Sequence, residues 1–128
     1  MDREILFRGK FGKDWKYGYL SVEPKGLVIK EPYELNQSHI WHIDPSTVGQ
    51  YTGLTDKNGN KIFEGDILEF TDADKDKTPY EIYWDESSSA WYIRDCEGCI
   101  DNCDPWVKEY FEVIGNIHDN PELLEVSK

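Results

Sequence analysis

At 128 residues with a formal net charge of −12, the chain is the size of one domain, or of two small subdomains sharing a core. It holds no apolar run of membrane-span length and no charged–apolar–small leader pattern, and three cysteines without such a leader argue against a disulfide framework. A soluble cytoplasmic protein with no membrane contact is expected.

Arg3–Arg8 reads as a first short strand, with Ile5 and Phe7 on one face and Leu6 on the other. Gly9 to Gly12 bracket a turn. Trp15–Leu20 continues as an aromatic strand with an irregularity at Gly18, and Gly26–Lys30 follows as a β-branched strand between Pro24 and Pro32. Residues 31–40 are polar and carry no periodic signal. Trp41–Ile43 forms another short strand, and Asp44-Pro45-Ser46 suggests a turn or a capped single helical turn. Asn58-Gly59 can take positive φ at both central positions of a type I′ turn, which predicts a hairpin. Glu64-Gly65-Asp66 makes a second tight turn into the strand Ile67–Thr71.

Tyr80–Trp84 and Ala90–Ile93 are the next strands, joined through the polar loops Asp72–Pro79 and Asp85–Ser89. Phe111–Ile117 alternates as a last strand. Beyond it Asn120 can cap a helix with Pro121 at its first position and Glu122 favoured by the dipole. The second half thus reads as four or five short strands linked by tight turns, the pattern of a small barrel or curled sheet.

Three blocks carry a resemblance: Arg3–Arg8, Gln50–Ile67 (Gln-Tyr-Thr-Gly-Leu-Thr-Asp-Lys-Asn-Gly-Asn-Lys-Ile-Phe-Glu-Gly-Asp-Ile) and Phe111–Leu124 (Phe-Glu-Val-Ile-Gly-Asn-Ile-His-Asp-Asn-Pro-Glu-Leu-Leu). Their order and spacing span nearly the whole chain and resemble the YopX family of phage and prophage proteins. The resemblance implies a mainly β fold with minor α, an N-terminal β subdomain over residues 1–48 and an SH3-like barrel over 49–128 with a short C-terminal helix. It also implies a phage or prophage origin and self-association. It supplies no catalytic residues, because the family's molecular function is not established. The cysteine cluster and the acidic loop at 72–79 depart from the family pattern and leave room for a function particular to this chain.

Among candidates for chemistry, Cys96-x-x-Cys99 sets two thiolates at the bite of a tetrahedral zinc, with Cys103 as a third ligand. A fourth would have to come from His39, His42 or His118. Only one paired element is complete, so free cytoplasmic thiols in a loop are the better reading, with a redox pair as a weaker alternative lacking βαβ context. Asp72, Asp74 and Asp76 imitate the start of a calcium loop, but Lys77 and Tyr83 hold the positions of the obligatory glycine and glutamate. Glu64 and Asp66 could act as an acid–base pair. Asp66 accepting hydrogen bonds from turn amides explains them better. No nucleophile triad, phosphate loop or His-Glu-x-x-His run is present. No cofactor and no enzyme activity are expected.

Charge is unevenly placed: residues 1–61 carry nine Lys/Arg against eight Asp/Glu, and residues 62–128 carry five against eighteen. The acidic half disfavours nucleic acid and suits solubility or a basic protein partner. Trp15, Tyr17, Tyr19, Trp84, Trp91 and Tyr92 lie on predicted strands. Arg8, Lys10, Lys13 and Lys16 offer the one track along which bases could stack. Core and interface packing is the stronger reading of these rings. The expectation is a non-enzymatic module that self-associates and contacts a host or phage protein. A nucleic-acid module built on the N-terminal strands is the alternative.

Overall fold

The computed structural model describes residues 5–70, 79–95, 100–102 and 107–124. The chain divides into two compact units, Met1–Gly53 and Leu54–Lys128. In the first, the strands are β1 (Phe7–Phe11), β2 (Asp14–Glu23), β3 (Gly26–Glu34), β4 (Gln37–His42) and β5 (Asp44–Thr55), whose last residues pass into the second unit. They lie in the antiparallel order β4-β3-β2-β1-β5. The second unit continues with β6 (Lys61–Phe63), β7 (Asp66–Phe70), β8 (Pro79–Asp85), β9 (Ala90–Arg94), β10 (Ile100–Asn102), the single helical turn α1 (Val107–Tyr110) and β11 (Phe111–Asn116). A 3₁₀ turn over Pro121–Leu124 follows. Its sheet runs β10-β9-β8-β7-β11, antiparallel throughout.

The fold is therefore mainly β. The strand pattern predicts a small barrel or curled sheet in the second half, and the resemblance to the YopX family implies an SH3-like barrel. Among the described residues the second sheet is open, because closure would need β10 against β11 and β10 offers only three residues. Ile62, Leu68, Ile82, Ile93 and Phe111 form its buried core, with Leu54, Phe70, Tyr80, Trp91 and Val113 packed around them. Each comes from the inward side of a short alternating strand, so every strand from β6 to β9, and β11, contributes one anchor. Phe111 meets Phe70 and Tyr80 edge-on, at centroid distances of 5.2 and 5.7 Å.

Several local expectations are corrected. The first strand starts at Phe7 and runs through Gly9, which was expected to open a turn. Gly9 is instead a point of close approach, since a Cβ there would lie 2.5 Å from Ile43 Cδ1. Residues 31–40, which gave no signal, complete the β3–β4 hairpin, reversing at Leu35-Asn36 with Asn36 at φ 63°. Residues 31–40 are exposed on both faces, so no apolar alternation could mark them. Asp44-Pro45-Ser46 does turn: Ser46 N and Oγ donate to Asp44 Oδ1 at 3.0 and 2.8 Å. The turn is absorbed into β5 as a break in register, because Arg8 opposes Gly49 while Lys10 opposes Asp44.

The hairpin at Asn58-Gly59 forms with a different turn. Only Gly59 has positive φ, at 85°, and Gly59 N donates to Asp56 O at 3.0 Å. That is a type I turn closed by a left-handed glycine rather than type I′. Further on, the Asn120 side chain does not cap forward. Its Oδ1 accepts from Asn116 N at 3.3 Å, which ties the 3₁₀ turn back to β11.

Candidate functional site

Strand alternation sorts the chemistry of the first sheet onto two faces. The register places Phe11, Lys16, Ile29, His39 and Trp41 on one face, and Arg8, Lys10, Trp15, Tyr17, Tyr19, Lys30, Ile40 and His42 on the other. On the first face a row of rings forms across β3, β4 and β1. Tyr33 stacks on His39 at 4.3 Å, His39 lies 5.9 Å from Trp41, and Trp41 lies 5.2 Å from Phe11. Lys16 Nζ sits 3.9 Å from the Trp41 ring centroid. The Trp41 indole N–H is sealed from solvent with no acceptor among the described residues. On the opposite face Arg8 and Lys10 flank Trp15 at 4.5 and 5.5 Å.

The basic track expected along residues 8–16 is thus divided. Lys16 faces one way, Arg8 and Lys10 the other, and Arg8 is buried. His39 and His42, three apart on one strand, likewise fall on opposite faces, where an i,i+3 pair cannot converge on one ion. Glu23 is held below the usual carboxylate range, first by the Ser21 hydroxyl and then by Lys30, whose Nζ lies 3.6 Å away.

In the second unit the residue that sequence reasoning missed is Asp56. Only 2% exposed, it accepts four hydrogen bonds: Asn58 N and Asn60 N on Oδ1, both at 2.9 Å, and Asn60 Nδ2 and Val113 N on Oδ2, at 3.2 and 3.0 Å. Burial works to raise its pKa. The amides of Val113, Asn60 and Asn58 outweigh that and hold the carboxyl below its ordinary value. The spacing Asp56-x-Asn58 was a readable signal for the local bonds, while the bond to Val113 had none in sequence.

Asp66, weighed as half of an acid–base pair with Glu64, accepts from Phe63 N at 2.7 Å and is also 2% exposed. Gly65 between them takes φ 90°, and its backbone links Ile82 O and Ile117 N. Asp85 accepts from Ser88 N and Ser87 Oγ, and the hydrogen bonds from Ser88 first and then Ser87 keep its carboxyl below the usual range. Cys96, Cys99 and Cys103, and the acidic residues Asp72, Asp74 and Asp76, lie outside the described residues. Among the described residues no three His, Cys, Asp or Glu side chains come together as a metal set, and no helix is long and apolar enough to cross a membrane.

Solved structures resemble the chain in fold, among them the following two. The crystal structure of protein EF1440 from Enterococcus faecalis is 22% identical, with a TM-score of 0.59, over 97% of this chain and 100% of its own. The crystal structure of yopX from Bacillus subtilis is 20% identical, with a TM-score of 0.60, over 94% of this chain and 98% of its own. No curated protein matches the chain. The family model described as YopX protein matches residues 10–125, and the chain belongs to that family.

Proposed function

We propose that this chain is a non-enzymatic accessory protein of phage or prophage origin that works through protein–protein contacts in the host cytoplasm and associates with copies of itself. One observation carries the reading. Of the large apolar side chains left exposed among the described residues, Ile5, Phe11, Tyr17, Tyr19, Val22, Tyr33, Leu35 and Ile40 fall in the first unit, and only Trp84 and Tyr110 in the second. The exposed apolar side chains thus concentrate in one unit, on both faces and at the turns of its sheet, and that excess over the second unit supports a role in contacts. The acidic second half suits a basic host or phage partner, or solubility alone. Its sheet order, a four-strand meander with the last strand returned beside the first, supports an SH3-like reading of that unit.

Light scattering at micromolar concentration tests self-association, and a strictly monomeric species would overturn it. The second reading, a nucleic-acid module, draws on the cations placed beside Trp15 and Trp41. It requires salt-sensitive binding that weakens when Arg8, Lys10 and Lys13 are neutralised. Absence of any DNA binding at low salt removes it.

A further inference from the structure

We infer that the outer edge of β4 is the contact through which two copies join, pairing antiparallel about a two-fold axis at Ile40 so that the two first-unit sheets become one. The inference rests on the self-association reading and names its surface.

The backbone parity comes first. Ile43 N donates to Leu27 O at 3.2 Å, which fixes that position as a hydrogen-bonded pair. Two and four residues along, Ile29 opposite Trp41 and Glu31 opposite His39 share the same parity. Residues 38, 40 and 42 therefore turn their backbone N–H and C=O away from β3, toward the side of the sheet on which no strand pairs among the described residues. Pro32, which has no N–H to give, sits opposite Ser38 as this parity requires. β4 is the terminal strand of the sheet order, and all of it except half-buried Trp41 is exposed.

The edge also lacks the features that keep sheets apart. Gln37-Ser-His-Ile-Trp-His42 contains no Lys, Arg, Asp, Glu or Pro, and residues 38–42 pair with β3 without a bulge. In a chain of net charge −12, two copies repel least along a segment with no formal charge. The strand is also self-complementary about Ile40. Ser38 would oppose His42 of the second copy through bonded pairs, and Ile40 would oppose its own equivalent. His39 would oppose Trp41 of the second copy, which extends the Tyr33–His39–Trp41–Phe11 row of rings across the joint. A second copy satisfies the backbone row, the apolar side chain and the rings together.

The test compares the mass in solution of the full chain with that of Ile40→Lys, Ile40→Pro and Val22→Lys. Val22 is 81% exposed on β2, so its lysine adds the same charge to the sheet away from the edge. The expected result is a multimer whose mass halves, or whose association weakens at least about tenfold, in both Ile40 variants and stays unchanged in Val22→Lys. All variants should keep a cooperative melt, because Ile40 is 56% exposed and its N–H points outward. A multimer that survives both Ile40 substitutions overturns the edge contact and leaves self-association standing. A monomeric unsubstituted chain overturns both. Loss of mass accompanied by loss of the melt in both Ile40 variants also counts against it, since an outward edge residue is not required for the fold.

Discussion

Val113 N donates to Asp56 Oδ2 at 3.0 Å across 57 residues of sequence, so one carboxylate closes the central turn and fastens it to the last strand. Its three other hydrogen bonds shape the loop from Asn58 to Asn60. Asp56→Ala strips the partner from three backbone amides at once. It is expected to cost about 3 kcal/mol in urea unfolding, the upper range for a buried charged hydrogen-bond acceptor. A loss under 1 kcal/mol would show that water replaces the carboxylate.

The same residue sets a pH dependence. Its folded pKa lies below the ordinary value of about 3.9, so its contribution is complete above that value and is lost as pH falls through the lower folded value. Asp56→Asn should therefore be less stable than the native chain near neutral pH, with the gap narrowing below about pH 4. Glu23 and Asp85 are shifted in the same direction and remain in the variant, so part of the acid slope persists. A gap that stays constant down to acid unfolding would rule out the ionised acceptor.

Two glycines in the first sheet should respond differently to alanine. A Cβ at Gly18 would lie 2.3 Å from Lys30 O, a backbone atom of β3, whereas one at Gly9 meets the far end of the Ile43 side chain at 2.5 Å. Backbone cannot yield without moving a strand, and an isoleucine tip can rotate. Thermal melts should show Gly18→Ala costing about 3 kcal/mol and Gly9→Ala about 1. The reverse order would refute the steric account.

Phe111 is 2% exposed and meets two other rings, so Phe111→Ala should cost about 3–5 kcal/mol, and Phe111→Leu clearly less. Equal losses in a denaturant titration would mean that the pocket collapses around either side chain.

The sequence was most legible where strands were short, β-branched or aromatic and bounded by turn residues, as in Tyr80–Trp84, Ala90–Ile93 and Phe111–Ile117, which match β8, β9 and β11 closely. It was least legible where a side chain far away decided the geometry. Asn58-Gly59 located the hairpin, yet the Asp56 carboxylate selected the turn type by taking the amides of Asn58 and Asn60. Gly9 looked like a turn because its close neighbour, Ile43, is distant in sequence. Tyr33 and His39 of the ring row were hidden in a segment exposed on both faces, where periodicity carries no signal, and only Trp41 lay on a predicted strand. Family membership was readable because it rests on contiguous motifs, the kind of information that does not depend on tertiary contact.

The order of the second sheet also governs how that unit comes into being. Neighbours β7, β8 and β9 are joined by short connections and can zip as they emerge, as can β1 to β4 in the first unit. β7 waits for β11, which lies beyond β8, β9, β10 and α1 in the chain, so closing that pair means ordering a long loop before its contacts repay the entropy. The Asp56–Val113 bond can form only at that late step. Refolding of the second unit should thus be rate-limited by docking of its last strand, with the first unit's meander already in place.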